Sequence, residues 1–144
     1  MSAMSDYLEN KLVDQLFRGQ SAPTTTTLYV GLLTAAPSDS GGGTEVSGGS
    51  YARVAVTSSL ANWAGTQTAG STTASSGTGG QTSNNAAITF PTPAATWGTV
   101  THFGIYDAAS AGNLLFWGAL TIAKTINQAD TVTFPAASLS VTFA

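Results

Sequence analysis

The one histidine of the sequence, His102, precedes a carboxylate, Asp107, by five residues. A catalytic dyad would need these two side chains within hydrogen-bonding distance of each other. The pattern around them is that of an extended strand, which would place them on opposite faces and roughly 16 Å apart. No Gly-x-Ser-x-Gly motif, which would present a nucleophilic serine, occurs in the sequence. We therefore predict no catalytic residues, no enzyme activity, and a structural role for His102.

Three of the carboxylates, Asp39, Glu45 and Asp130, would have to gather in space to bind a hard cation. Calcium takes about six to eight oxygen ligands, and the loop that holds Asp39 and Glu45 lacks the alternating carboxylates of a calcium loop. The absence of cysteine and the single histidine exclude thiolate and multi-histidine zinc sites. The glycine run 41–43 is not followed by the lysine of a phosphate-binding loop, so it is interpreted as turn residues. We predict no metal ion and no cofactor.

The composition restricts the partners of the chain. Its 144 residues include four Lys and Arg against seven Asp and Glu, too few cations to neutralise a nucleic-acid backbone. No apolar run approaches the roughly 18 residues of a membrane-spanning helix, so we expect neither a nucleic-acid nor a membrane partner. No charged residue lies between Arg53 and Asp107. Such a neutral surface would favour aggregation of a free monomer, and assembly with other subunits would cover it.

The aromatic residues allow two interpretations. In segments with strand-like patterns, burial in a core explains them. An exposed platform for stacking on a sugar, or for protein contact, is the alternative. We favour the core for a set of six: Tyr29, Tyr51, Trp63, Trp97, Tyr106 and Trp117.

The first twenty residues predict one amphipathic helix over about residues 7–18. Asp6 suits the N-cap, Glu9 completes a capping box, and Gly19 suits the position that ends a helix. The apolar stripe at helical spacing would either cover one end of the domain or reach a neighbouring subunit. Each of its side chains would contribute about 1.5–3 kcal/mol when buried. We predict a subunit contact formed by Leu8, Leu12, Val13, Leu16 and Phe17.

The rest of the chain predicts strands and turns, because β-branched and aromatic residues cluster in short segments with turn signals roughly every ten residues. We predict an all-β fold, an antiparallel β-sandwich, jelly-roll-like, with one short N-terminal amphipathic α-helix. The chain is interpreted as a single domain, 1–144, with a helical arm at 1–19 and the sandwich at 20–144. The predicted strands are 24–33, 51–58, 60–64, 84–90, 97–106, 113–122, 130–134 and 138–143. A hairpin loop is predicted at 107–113, and the last two strands are predicted to form a hairpin around Pro135. Long loops are predicted at 37–50 and 65–83.

Three segments of the chain are distinctive as strings of residues. They are LYVGLLTAAPSDSGGGTEVSGGSYARVAV at 28–56, NNAAITFPTPAATWGTVTHFGIYDAASAGNLLFWGAL at 84–120 and TINQADTVTFPAASLSVTF at 125–143. Together they resemble a family of small structural proteins of tailed bacteriophages, whose members are described as tail-fibre or virion structural proteins. The size and the predicted sandwich also resemble the jelly-roll cement proteins of phage capsids. The resemblance implies a place in a phage particle and carries no catalytic residue.

We interpret the chain as a non-enzymatic capsid cement, or decoration, protein on the outer capsid surface of the virion. It would bind the major capsid protein and itself, as a homodimer or homotrimer, and stabilise the head by bridging capsomers through many weak contacts. The alternative is a tail-fibre or receptor-binding module in the virion tail. Its loops at 37–50 and 65–83 would then contact a host glycan or protein receptor.

Overall fold

The computed structural model describes residues 2–22 and 25–143. Strands dominate these residues, and the helix lies near the N-terminus. In chain order the elements are β1 (Ser2–Met4), α1 (Asp6–Arg18), β2 (Thr27–Ala35), β3 (Thr44–Glu45), β4 (Val54–Thr57), β5 (Gln81–Ser83), β6 (Ile88–Thr89), β7 (Gly98–Tyr106), β8 (Leu114–Ile126), β9 (Thr133–Phe134) and β10 (Ser140–Thr142).

The main sheet has six strands. Five follow the order β1-β8-β7-β2-β3, and β4 is also paired to β2. Two smaller sheets, β10-β5 and β6-β9, have two strands each, and all pairs are antiparallel. The fold is therefore the predicted all-β sandwich with a short N-terminal helix.

The core lies between one face of the main sheet and the two small sheets. Alternate residues of β2 and β7 point into it, since successive side chains of a strand face opposite ways. The main sheet contributes Val30, Leu32, Val100, Phe103 and Ile105, and the opposite layer contributes Ile88, Phe90, Phe134, Leu139 and Val141.

The hairpin predicted at 107–113 joins β7 to β8. Its loop is held by the carboxylate of Asp107, which accepts both the backbone N–H and the side-chain amide of Asn113 at 2.7 Å. This hairpin provides the longest strand pair of the structure.

One predicted strand and one predicted strand pairing are wrong. Segment 60–64 forms turns with one isolated bridge, Trp63 to Asn84. The last two strands do not form a hairpin around Pro135, because β9 pairs with β6 and β10 pairs with β5. The loops predicted at 37–50 and 65–83 contain the short strands β3 and β5. The predicted strand start at Thr24 lies outside the described residues.

Asn84 explains why the last two strands separate. Its buried side-chain amide donates to the carbonyls of Ala86 (2.7 Å) and Pro135 (2.8 Å), and its carbonyl oxygen accepts the N–H of Leu139 at 2.9 Å. The backbone of Asn84 also bonds to Leu139 and to Ala137. Asn84 thus holds residues 135–139 as a loop between the two small sheets.

Candidate interaction surfaces

The N-terminus of α1 is fixed to the main sheet. Strand β1 pairs with Phe116–Gly118 of β8, and the next residue, Ser5, is buried. The backbone N–H of Ser5 donates to Leu115 and its hydroxyl donates to Leu114, both at backbone carbonyls. The hydroxyl also accepts the N–H of Leu8, so Ser5 is the N-cap of the helix.

Asp6 is therefore not the N-cap. The helix begins one residue earlier than predicted, and Glu9 stands one position too late to complete a capping box. The sequence signal favoured Asp6 because a carboxylate caps as well as a hydroxyl does. Ser5 takes the role because it also bonds to β8. The end of the helix is as predicted: Gly19 adopts a left-handed conformation with φ +67°.

The apolar stripe of α1 divides into a covered half and an uncovered half. Leu8 and Leu12 are half-buried, whereas Val13 is 49% exposed, Leu16 71% and Phe17 81%. Isolated exposed apolar residues are ordinary on a protein surface, whereas three large ones close together form an apolar patch, a feature that is frequent at binding surfaces. We call Val13, Leu16 and Phe17 the exposed helix face. The prediction that all five stripe residues make a subunit contact stays a prediction.

A cleft of about 510 Å³ opens between the second half of β8 and the C-terminal segment. We call it the β8 cleft. Its walls include Leu120, Ile122 and Lys124 from β8, and Val132, Phe134 and Leu139 from the opposite side.

The edge of β8 beside this cleft is open. Strand β1 covers only Phe116–Gly118 of β8, and no other described strand pairs with the outer edge of residues 119–126. Within this stretch Ala119 faces His102 and Lys124 faces Val100, so residues 120–123 bulge opposite the single residue Thr101. The bulge leaves Ile122 79% exposed.

A polar cluster on the other face of the main sheet joins Glu45 to Arg53. The guanidinium donates to both carboxylate oxygens at 2.8 and 2.7 Å. Tyr51 donates its hydroxyl to Glu45 at 2.8 Å. Arg53 also donates to the carbonyls of Ala108 and Ala111 in the β7–β8 loop. These bonds give the cluster a structural role, since they occupy the groups that could act on a substrate.

Tyr106 completes the cluster. Its ring lies 3.4 Å from the guanidinium carbon of Arg53, a cation–π contact. The ring covers Gly31 and Gly104, which face each other on β2 and β7. A Cβ atom at Gly104 would lie 2.7 Å from the Tyr106 ring, and one at Gly31 would lie 2.9 Å from the Glu45 carboxylate. Glycine is therefore required at both positions for the cluster to close on the sheet.

Burial determines the ionisation of the cluster. It raises the pKa of Tyr51 far above its usual range, and the hydrogen bond to Glu45 adds to this. Burial, and then the charge of Glu45, raise the pKa of Tyr106 to about 12. For Arg53 burial acts downward, but the hydrogen bond and charge of Glu45 prevail and raise its pKa.

We predict that stability declines in alkali. A tyrosine whose pKa is higher in the folded state stabilises the fold fully below the unfolded pKa of about 10, and this stabilisation is lost as the pH rises above it. The loss is at most about 1.4 kcal/mol per pH unit for each tyrosine, and for Tyr106 it ends once the pH exceeds the folded-state pKa of about 12. Urea denaturation at pH 8, 10 and 11 would measure it, with a shallower decline in Tyr106→Phe. An unchanged unfolding free energy from pH 8 to 11 would contradict the prediction.

The residues first considered for catalysis have other partners. His102 shares a 2.8 Å hydrogen bond with the hydroxyl of Thr101, and the carboxylate of Asp107 is bound to Asn113. The carboxylate of Asp130 accepts the N–H of Asn127 at 2.8 Å.

Within residues 2–22 and 25–143, no three His, Asp or Glu side chains are grouped so as to hold a metal ion. No helix in the described part of the chain is long and apolar enough to cross a membrane.

Several of the aromatic residues belong to the core. Trp97 is buried, donates its indole N–H to the carbonyl of Gly49 at 2.9 Å, and meets the ring of Tyr51 edge-on at 5.3 Å. Tyr51 and Trp63 pack against the central cluster. These three side chains therefore do not form an exposed stacking platform.

The low-complexity segment is an ordered loop organised by one side chain. The amide nitrogen of Gln67 donates to the hydroxyls of Ser71 (2.7 Å) and Thr73 (2.8 Å) and to the carbonyl of Ala74 (3.2 Å). Its carbonyl oxygen accepts the N–H of Ser76. Residues 72–79 are exposed. The loop therefore presents a neutral surface of hydroxyl groups and glycines.

Sequence reasoning missed the residues that organise the polar contacts. Arg53 had a signal, since it is the last charge before a long neutral stretch and follows the opposite charge of Glu45 by eight residues. Asn84 and Gln67 had none, because a polar amide in a Thr- and Ser-rich chain looks the same whether it is buried or solvated.

One family of known proteins matches this chain. The Gp80 family, described as podophage GP4 fiber I protein gp80, matches residues 3–142. No curated protein matches the chain.

Proposed function

The chain belongs to the Gp80 family, that of the podophage GP4 fiber I protein gp80, and from this we propose that it is a fibre component of a phage tail. The family match is the observation that carries the proposal, because it spans nearly the whole chain. Membership makes the protein a phage virion structural protein and places it in the virion. The family description names a fibre, which supports the tail alternative over the capsid cement interpretation.

The role we propose is non-enzymatic. It is supported by the hydrogen bonds that engage the side chains of His102, Asp107 and Glu45, and by the absence of cysteine and the single histidine of the chain. The protein would act by binding other molecules and not by catalysing a reaction.

Loop 65–80 is the surface we propose for contact with the host. The other long loop, 37–50, is tied to the fold through its second half: Val46 is buried, Glu45 binds Arg53, and Gly49 accepts the indole N–H of Trp97. Loop 65–80 presents hydroxyl groups outward on a backbone that Gln67 holds through the carbonyl of Ala74 and the N–H of Ser76. Such pre-organisation lowers the entropic cost of binding a glycan or protein receptor.

We expect Gln67→Ala to weaken adsorption. The change removes the bonds that order the loop, so the purified variant should compete with phage for host cells about tenfold less well than the unaltered protein. The matched control is Gln128→Ala, which changes an exposed glutamine outside the loop. Circular dichroism should show the sandwich intact in both. Equal competition by the two variants would exclude the loop as the contact surface.

The particle itself distinguishes a fibre from a cement protein. A fibre component should be present in a few to a few tens of copies, which quantitative mass spectrometry of purified virions would count, and antibodies should label the tail in electron micrographs. Particles without the protein should keep normal heat resistance and lose adsorption. Hundreds of copies, with heat-sensitive heads in their absence, would favour the capsid cement interpretation instead.

A further inference from the structure

The exposed helix face and the β8 cleft lie toward opposite ends of strand β8. Ser5 fixes the start of α1 to Leu114 and Leu115, at the beginning of β8. The β8 residues that line the cleft lie within 119–126, at its other end, and no residue of α1 lines it. The chain therefore carries an apolar projection and a recess with mixed apolar and hydroxyl walls that do not fill each other.

The sizes of the two surfaces are compatible. A cavity of about 150 Å³ holds one benzene ring, so a cleft of about 510 Å³ has room for the ring of Phe17 together with Leu16. Both side chains are mostly exposed, and burying them against the apolar residues of the cleft, such as Leu120, Val132 and Phe134, would stabilise a complex by the same effect that stabilises a core.

The charges of the two surfaces are complementary. Glu9 lies one and two helical turns before Val13 and Leu16, so it belongs to the same side of α1, and it is exposed. Lys124 lines the β8 cleft and is one of only four Lys and Arg in the sequence. Within the described residues neither side chain takes part in an ion pair. The acidic side chain of Glu9 beside the exposed helix face thus corresponds to the basic side chain of Lys124 in the wall of the β8 cleft.

We propose that the exposed helix face of one copy docks in the β8 cleft of a second copy, with Leu16 and Phe17 in the cleft and Glu9 beside Lys124. The contact joins two different surfaces, so each copy keeps one free projection and one free cleft. Repetition of such a head-to-tail contact closes into a ring or extends as a filament. The proposal concerns self-assembly in solution and is independent of which surface meets the host.

Cross-linking tests the contact directly, because the chain has no cysteine of its own. One preparation carries Phe17→Cys and another carries Ile122→Cys, both at exposed positions. Mixed under oxidising conditions, they should form a disulfide-linked dimer that neither forms alone. A dimer from Phe17→Cys alone would show helix-to-helix pairing, and one from Ile122→Cys alone would show pairing of two β8 edges. Either result, or no dimer in the mixture, would overturn the proposal.

A charge exchange tests the pairing of Glu9 with Lys124. Sedimentation velocity over a range of concentrations should show assembly of the unaltered protein, with Glu9→Lys and Lys124→Glu each weakening it about tenfold. The double variant should recover to within about threefold of the original. Gln15→Lys, an exposed change on the other side of α1, serves as the control. A monomer at all concentrations, or a double variant no better than the single ones, would refute the contact.

Discussion

Arg53→Ala is expected to lower the free energy of unfolding by about 3–5 kcal/mol, as removal of one partner from a buried ion pair does. The Arg53 side chain is only 7% exposed. Without it, the Glu45 carboxylate loses its counter-ion, the Tyr106 ring loses the cation above it, and the β7–β8 loop loses two hydrogen bonds. A domain is typically stable by about 5–15 kcal/mol, so the loss is a large share of the total. Urea denaturation would measure it.

The chain provides a matched control for this prediction. Arg18 forms an ion pair with Asp14 at 3.1 Å, but its side chain is 71% exposed, and such surface pairs contribute about 0–1 kcal/mol. Arg18→Ala should therefore change stability little. Arg53→Lys should fall between the two, since an ammonium cannot reproduce the bidentate geometry of the guanidinium. If Arg53→Ala and Arg18→Ala lowered the free energy of unfolding by the same amount, the cluster around Arg53 would not be important for stability.

The sequence predicts the larger elements because their signals are local. The helix end at Gly19 and the β7–β8 hairpin follow from residues that act within a few positions of each other, namely a left-handed glycine and the Asp107–Asn113 pair. The all-β class follows from the spacing of β-branched and aromatic segments. The pairing of the short strands is not predicted by local signals. Strands β9 and β10 are adjacent in sequence, yet β9 pairs with a strand about 45 residues away and β10 with one about 60 residues away. A choice between distant partners is made by tertiary contacts, which no local pattern records.

The sequence predicts which residues form the apolar stripe of α1, but it does not predict which of them are exposed. The periodicity of α1 identifies its five apolar residues, but the half that stays uncovered depends on how Ser5 fixes the helix to β8. The β8 cleft had no sequence signal, because it depends on a bulge at residues 120–123 and on the path of the C-terminal segment. The same limit applies to the hydroxyl-rich loop, whose order depends on Gln67.

Asn84→Ala is expected to destabilise the protein by about 3–5 kcal/mol. Asn84 is 1% exposed, and its truncation leaves the buried N–H of Leu139 without an acceptor, at about 1–3 kcal/mol. It also removes a donor from the carbonyls of Ala86 and Pro135, of which Pro135 keeps only its bonds from Ser138. Asn84 directly follows β5, and its bond to Leu139 lies directly before β10. Because β5 and β10 pair with each other, both strands should lose protection together. Hydrogen exchange would show faster exchange in both strands, and urea denaturation would give the free energy.

The neighbouring residue, Asn85, provides a control that separates the loss of the Asn84 hydrogen bonds from the general effect of truncating an asparagine. Asn85 donates to the carbonyls of Leu60 and Ser71 at 3.3 Å each, at the edge of hydrogen-bonding distance, and is only half-buried. Asn85→Ala should therefore cost about 1 kcal/mol or less. Asn84→Asp should destabilise at neutral pH, because a carboxylate can accept from Leu139 but would face two carbonyl oxygens with no proton to donate. If Asn84→Asp were as stable as the unaltered protein, the two donated bonds would not be what holds the C-terminal loop.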